Sequence, residues 1–87
     1  LLDGGVGEQV TLALSNMAGL LESQGASLSD VAKTTVFMVD MDDYAEMNTA
    51  YIAAFGDHRP TRSAFAVAGL PIGARVEIEA WAYIGDK

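Results

Sequence analysis

Cysteine is absent from this sequence, and histidine occurs once. The first absence excludes a disulfide framework and any thiol chemistry. The second leaves His58 alone in the loop Gly56-Asp57-His58-Arg59-Pro60, with no serine or cysteine nucleophile beside it in sequence. A catalytic histidine is therefore not expected. Basic residues are scarce as well: five Lys and Arg stand against twelve Asp and Glu, a formal charge of −7. That balance argues against nucleic acid or an anionic membrane as a partner held by bulk electrostatics. No apolar run approaches the roughly 20 residues of a membrane-spanning helix, and no secretory leader pattern is visible. A soluble, cytoplasmic protein without nucleic-acid or membrane partners is the expectation. Repeats, low-complexity tracts and linkers are missing too, so the 87 residues read as one domain, 1–87. What is plentiful is apolar side chain, 51% of the residues, enough for a modest core. A domain of this size gains from oligomerisation.

The periodicities predict an order of helix, strand, helix, strand, strand. Residues 8–24 carry Val10, Leu14, Met17 and Leu21 at helical spacing, with Gly25 as the expected stop. Residues 33–39, Lys-Thr-Thr-Val-Phe-Met-Val, become apolar on both faces, as a central strand does. The acidic run Asp40-Met41-Asp42-Asp43 invites a metal reading, but no further ligand follows at suitable spacing. Capping of the next helix is the preferred role. That helix runs over 44–55 and ends at Gly56, with Tyr44, Met47, Tyr51 and Ala54 or Phe55 on one face. Asn48 is the polar intruder beside this face, either a local capping group or a pocket-lining one.

Residues 60–79 are the most informative stretch. Two strands, 61–68 and 75–84, flank a loop with turn residues at both ends, Gly69-Leu70-Pro71-Ile72-Gly73-Ala74. The second strand alternates: Val76, Ile78, Ala80, Ala82 and Ile84 point one way, and Arg75, Glu77, Glu79, Trp81 and Tyr83 the other. A simple hairpin with Ala68 opposite Arg75 would set Arg62 opposite Trp81, on the polar face with Glu77 and Glu79. A one-residue slip would turn Arg62 toward the helices. That would bury a guanidinium without an evident partner, which is costly, so the polar-face register is preferred. In it Arg62 and Glu77 stand roughly 13 Å apart, too far to share a small ligand within one chain. A site across a subunit boundary could use both.

Several spaced motifs resemble the RidA family, also called YjgF/YER057c/UK114. They are Pro60-Thr61-Arg62-Ser63, Val67, Leu70-Pro71 and Val76-Glu77-Ile78-Glu79-Ala80, preceded by Asp30-Val31-Ala32-Lys33-Thr34-Thr35-Val36-Phe37 and by Asn48-Thr49-Ala50-Tyr51 with Ala54-Phe55. The resemblance implies an α+β fold, with two helices packed on one face of a mixed β-sheet, like chorismate mutase of the AroH type. It also implies strands before the first helix that have no counterpart here, so the expected fold lacks the family's N-terminal strands. A homotrimer with sites between subunits is implied, together with hydrolysis of reactive enamines and imines, 2-aminoacrylate and 2-imino acids, to 2-keto acids and ammonia.

Carried onto this sequence, the resemblance assigns Arg62 to the substrate carboxylate, with the backbone N–H of Ala64 as a second donor. It assigns Glu77 to the attacking water and proton movement, and makes Asn48 a pocket residue. Some relatives have cysteine where Ala64 stands; its loss leaves the backbone donor. Neither a metal nor an organic cofactor is expected. The competing role for Arg62 and Glu77 is an ion pair across the subunit boundary, and Glu79 is read as structural. Two other functions compete: a small-molecule-binding, chaperone-like or translation-inhibiting module without deaminase activity, and a relative specialised on a different enamine substrate.

Overall fold

In the computed structural model residues 4–83 are described. Ile84, expected to end the last strand, lies outside the described residues, as do residues 1–3. The elements are α1 (Val6–Ser23), β1 (Val31–Met38), α2 (Tyr44–Phe55), β2 (Thr61–Ala66) and β3 (Val76–Ala82). Single 3-10 turns stand at Leu28–Asp30, Met41–Asp43 and Pro71–Gly73.

The ends of α1 follow from local chemistry. Glu8 reaches back from the first turn, and its Oε1 accepts the Gly5 N–H at 3.1 Å. Gly25 adopts φ 78°, which lets the Ala26 N–H donate to the Leu21 carbonyl at 2.8 Å and the Gly25 N–H to the Glu22 carbonyl at 3.0 Å. This pair of bonds satisfies carbonyls that the helix end leaves open. The stripe Val6, Val10 and Leu14 is buried, with Met17 and Leu21 packed against it. Along α2, Met47, Tyr51 and Phe55 are buried at a spacing of four. The acidic run before α2 is consumed locally. The Asp40 carboxylate accepts the Asp42 N–H at 2.9 Å, and both carboxylate oxygens of Asp43 accept from Arg75 Nη2 at 2.9 Å. His58 is held as well: its Nε2 lies 2.6 Å from the Val31 carbonyl, which can only accept, so the proton sits on that nitrogen.

The expected hairpin of the last two strands is not formed. The sheet order is β2-β1-β3, with β1 central, parallel to β2 and antiparallel to β3. A strand that is apolar on both faces is best satisfied with partners on both edges, and β1 takes one on each. Helix α2 supplies the crossover that a parallel pair requires. The loop between β2 and β3 passes over the end of β1 and is tied to it on both sides. Val67 N–H donates to the Met38 carbonyl at 2.8 Å, and Val39 N–H to the Arg75 carbonyl at 3.3 Å. Within this loop Ile72 and Gly73 both take the left-handed conformation, with φ 52° and 72°.

The register sorts side chains into two faces. Thr34, Val36 and Met38 of β1 pair with Ala80, Ile78 and Val76 of β3, and these face the helices. Val36, Met38 and Met47 are fully buried there, with Val6, Val10, Leu14, Val31, Tyr51, Phe55 and Val76 completing the core. The opposite face carries Lys33, Thr35 and Phe37 beside Trp81, Glu79 and Glu77, as the alternation of the last strand predicts for those three. Phe37 and Phe65 stack there with ring centroids 6.4 Å apart, and Lys33 Nζ lies 5.4 Å from the Trp81 ring centroid. Two helices on one face of a mixed sheet is the expected α+β architecture.

Candidate active site

Arg62 stands on the helix side of the sheet, contrary to the expected polar-face register. It pairs with Thr34, a buried inward residue, across the parallel β1–β2 ladder. The reason is that α2 supplies the partners whose absence made this orientation costly. Arg62 Nη1 donates to Asn48 Oδ1 and Nη2 donates to the Tyr44 hydroxyl, both at 2.7 Å. The guanidinium carbon lies 4.7 Å from the Tyr51 ring centroid and 5.5 Å from that of Tyr44. Hydrogen bonds from a charged donor are short and strong, and aromatic faces attract a cation, so a partly buried guanidinium is tolerated here. Beneath it the hydroxyls of Tyr51 and Thr34 are hydrogen-bonded at 2.6 Å in a buried position, which fixes the ring.

Two features of this arginine point outward. Of its five N–H groups two are engaged, leaving three without a partner among the described residues. No carboxylate forms an ion pair with it there, although the chain has twelve. Arg75, by contrast, is paired with Asp43 at 2.9 Å. Arg62 also lines a cavity of about 310 Å³, together with Asn48, Tyr51, Ile52, Arg59 and Pro60. A positively charged hollow without a carboxylate in its wall suits an anion. A larger groove of about 800 Å³ runs between α1 and α2, but its charged side chains are Glu8 and Glu46. It would repel the same ligand.

Ala64 lies two residues along β2 from Arg62. Since the Val67 N–H is directed at β1, the alternation of an extended strand turns the Ala64 N–H to the opposite edge. No strand pairs with that edge among the described residues. Asn48 is brought into contact with Arg62 and lines the same cavity. Glu77 is not brought near. It sits on β3, beyond β1 from Arg62 and on the other face, pairing across to Phe37. Two strand spacings, roughly 10 Å, and the thickness of the sheet separate the two side chains. Glu79 shares the Glu77 face.

The sequence pattern assigns Tyr44 and Tyr51 only to a packing face. Their spacing with Asn48, four and then three residues, places all three on one side of a helix, and that polar triad was the available signal. Among the described residues no cluster of three His, Asp or Glu is arranged to hold a metal.

The sequence profile of the family described as Endoribonuclease L-PSP matches residues 1–84. A human 2-iminobutanoate/2-iminopropanoate deaminase is 42% identical over 85 residues, 98% of this chain and 62% of its own. The crystal structure of the Escherichia coli YjgF gene product superposes with a TM-score of 0.90 at 37% identity, covering 97% of this chain and 68% of its own. Escherichia coli TdcF with bound serine superposes at 0.88 with 38% identity, covering 94% and 67%. The chain spans 62% to 66% of the length of these and similar curated relatives.

Proposed function

Because this chain belongs to the endoribonuclease L-PSP family, the RidA or YjgF/YER057c/UK114 family, we propose that it acts as an enamine and imine deaminase, hydrolysing 2-aminoacrylate and 2-imino acids to 2-keto acids and ammonia. The observation that carries this reading is Arg62, a guanidinium oriented by Tyr44, Asn48 and Tyr51, lacking a carboxylate partner among the described residues and facing a cavity of about 310 Å³. Its planar fork matches a substrate carboxylate in two-point contact. The Ala64 N–H at the open edge of β2 is the second donor. The name of the human relative and the serine bound to the Escherichia coli protein agree with a small amino-acid-like ligand.

Hydrolysis needs little besides a held carboxylate, a placed water and a proton relay. Water oxygen adds to C2 of the imine and gives up a proton, and nitrogen gains one. The hydroxyl proton of the aminoalcohol then passes to nitrogen as the C–N bond breaks, releasing ammonia and leaving the keto group. No electrons are exchanged with an outside partner. Glu77 positions the water and passes its proton to nitrogen. One chain keeps Glu77 on the far face of the sheet from Arg62, so the Glu77 that serves a given Arg62 comes from a second copy, in a homotrimer with intersubunit sites. The open sheet face, with Phe65 and Trp81 about half exposed, supports burial against such a copy.

The test uses a 2-imino acid generated in situ by an amino-acid oxidase. The protein should accelerate loss of the imine, and Arg62→Ala or Glu77→Gln alone should abolish or sharply reduce that acceleration. Mixing the two inactive variants under subunit exchange should restore part of it, because mixed assemblies contain sites with both groups intact. Absence of acceleration by the unmodified protein refutes the deaminase; absence of recovery on mixing refutes the shared site. A module that only binds would lose ligand with Arg62→Ala yet be indifferent to Glu77→Gln.

A further inference from the structure

The rim of the Arg62 cavity holds a second cation, Arg59. Two of the chain's five basic residues thus line one small hollow in a protein of charge −7, and none of the six lining residues is acidic. Neither arginine has an ion-pair partner among the described residues. Among the described residues the Arg59 side chain makes one hydrogen bond, a long one from Nη1 to the His58 carbonyl, 3.4 Å. Its backbone, by contrast, is firmly set. On one side His58 is anchored by Nε2 to the Val31 carbonyl at 2.6 Å. On the other, Pro60 restricts both its own φ and the conformation of Arg59, and Thr61 enters the ladder opposite Lys33. A constrained backbone therefore presents a guanidinium without an ion-pair partner among the described residues to the same cavity as one already oriented.

The same cavity is lined by Ile52 of α2, 39% exposed and apolar. A single carboxylate on Arg62 leaves Arg59 uncompensated. A ligand with a second carboxylate, separated from the first by a short aliphatic segment, would neutralise both arginines and lay its methylene carbons on Ile52. The geometry points to Arg59 as a specificity-determining residue that selects 2-imino dicarboxylates, the four- and five-carbon imino acids related to aspartate and glutamate, over monocarboxylates. The reaction assigned to these substrates rests on the deaminase reading; the preference for a dianion rests on the cavity alone.

Two measurements separate these. First, 2-imino acids are generated in situ from alanine and from aspartate by the matching amino-acid oxidases, and the ratio of kcat/KM for the dicarboxylate over the monocarboxylate is compared in the protein, Arg59→Ala and Arg59→Lys. That ratio should exceed one in the protein, fall at least tenfold in Arg59→Ala, and be partly retained in Arg59→Lys. Second, binding of the stable keto acids oxaloacetate, 2-oxoglutarate and pyruvate is measured by calorimetry, which needs no turnover. The dicarboxylates should bind at least tenfold more tightly than pyruvate, with an advantage that shrinks in Arg59→Ala and with added salt. If no imine is hydrolysed but the binding preference appears and depends on Arg59, the deaminase reading fails and the dianion subsite stands. Equal binding of mono- and dicarboxylates, or a preference indifferent to Arg59→Ala, overturns the subsite.

Discussion

Replacing Arg62 with lysine keeps the charge and removes the plane. In the protein the guanidinium makes two charge-assisted hydrogen bonds of 2.7 Å, to Asn48 and Tyr44, its remaining N–H groups have no partner among the described residues, and the residue lines the cavity. An ammonium is a point charge with three donors and cannot satisfy both helix partners while presenting two parallel N–H groups to a carboxylate. One charge-assisted bond to the ligand is lost, a contribution of about 1.5–3 kcal/mol. The site is only part-buried, so water offsets some of this, and the lower half of the range applies. Arg62→Lys should weaken carboxylate binding about tenfold to thirtyfold. Since the carboxylate is held in ground and transition states alike, the change should appear in KM more than in kcat. The assay is initial-rate hydrolysis of a 2-imino acid across concentrations, checked by competition with the matching 2-keto acid. Stability serves as the control: the loss of the Asn48 and Tyr44 contacts at a part-buried rim is worth about 1 kcal/mol, a fall in Tm of roughly 4–8 °C for a domain of this size. A lysine variant with unchanged KM would refute recognition by the guanidinium plane. One that unfolds before binding is affected would assign Arg62 to the scaffold.

Other expectations concern what holds the site in place. Thr34→Val removes the buried partner of the Tyr51 hydroxyl, a bond of 2.6 Å. It should cost about 1–3 kcal/mol in denaturant unfolding and loosen the ring beneath Arg62; an unchanged midpoint would mean that another partner satisfies the hydroxyl. Met47→Ala empties a fully buried position between α2 and the sheet and should cost about 2–5 kcal/mol, seen as a lower midpoint at unchanged denaturant slope. Gly25→Ala forces a side chain into φ 78° at the end of α1 and should destabilise by about 1 kcal/mol, whereas Gly19→Ala, inside the helix with open space around the new methyl, should be neutral or mildly stabilising. Arg75→Ala breaks an ion pair whose arginine is 47% exposed; the loss should stay below about 1 kcal/mol and diminish with salt.

What the sequence determined was everything set by neighbours along the chain. Helical spacing in α1 and α2, the stops at Gly25 and Gly56, the capping role of Asp40, the central character of β1 and the face shared by Glu77, Glu79 and Trp81 all follow from local periodicity and turn chemistry. They were legible because each rests on residues within about one or two turns of one another. What only the tertiary structure decided was which strands meet and therefore where Arg62 points. Two strands joined by a short turn-rich loop suggest a hairpin, but backbone hydrogen bonding is indifferent to sequence distance, and β1 had two edges to satisfy. Its insertion between β2 and β3 turned Arg62 toward α2 and set Glu77 on the opposite face. A guanidinium on the helix side carries a burial cost. Its compensation lay in Tyr44, Asn48 and Tyr51, residues 11 to 18 positions earlier in the chain, whose nearness to Arg62 exists only once α2 crosses over to lay β2 parallel to β1.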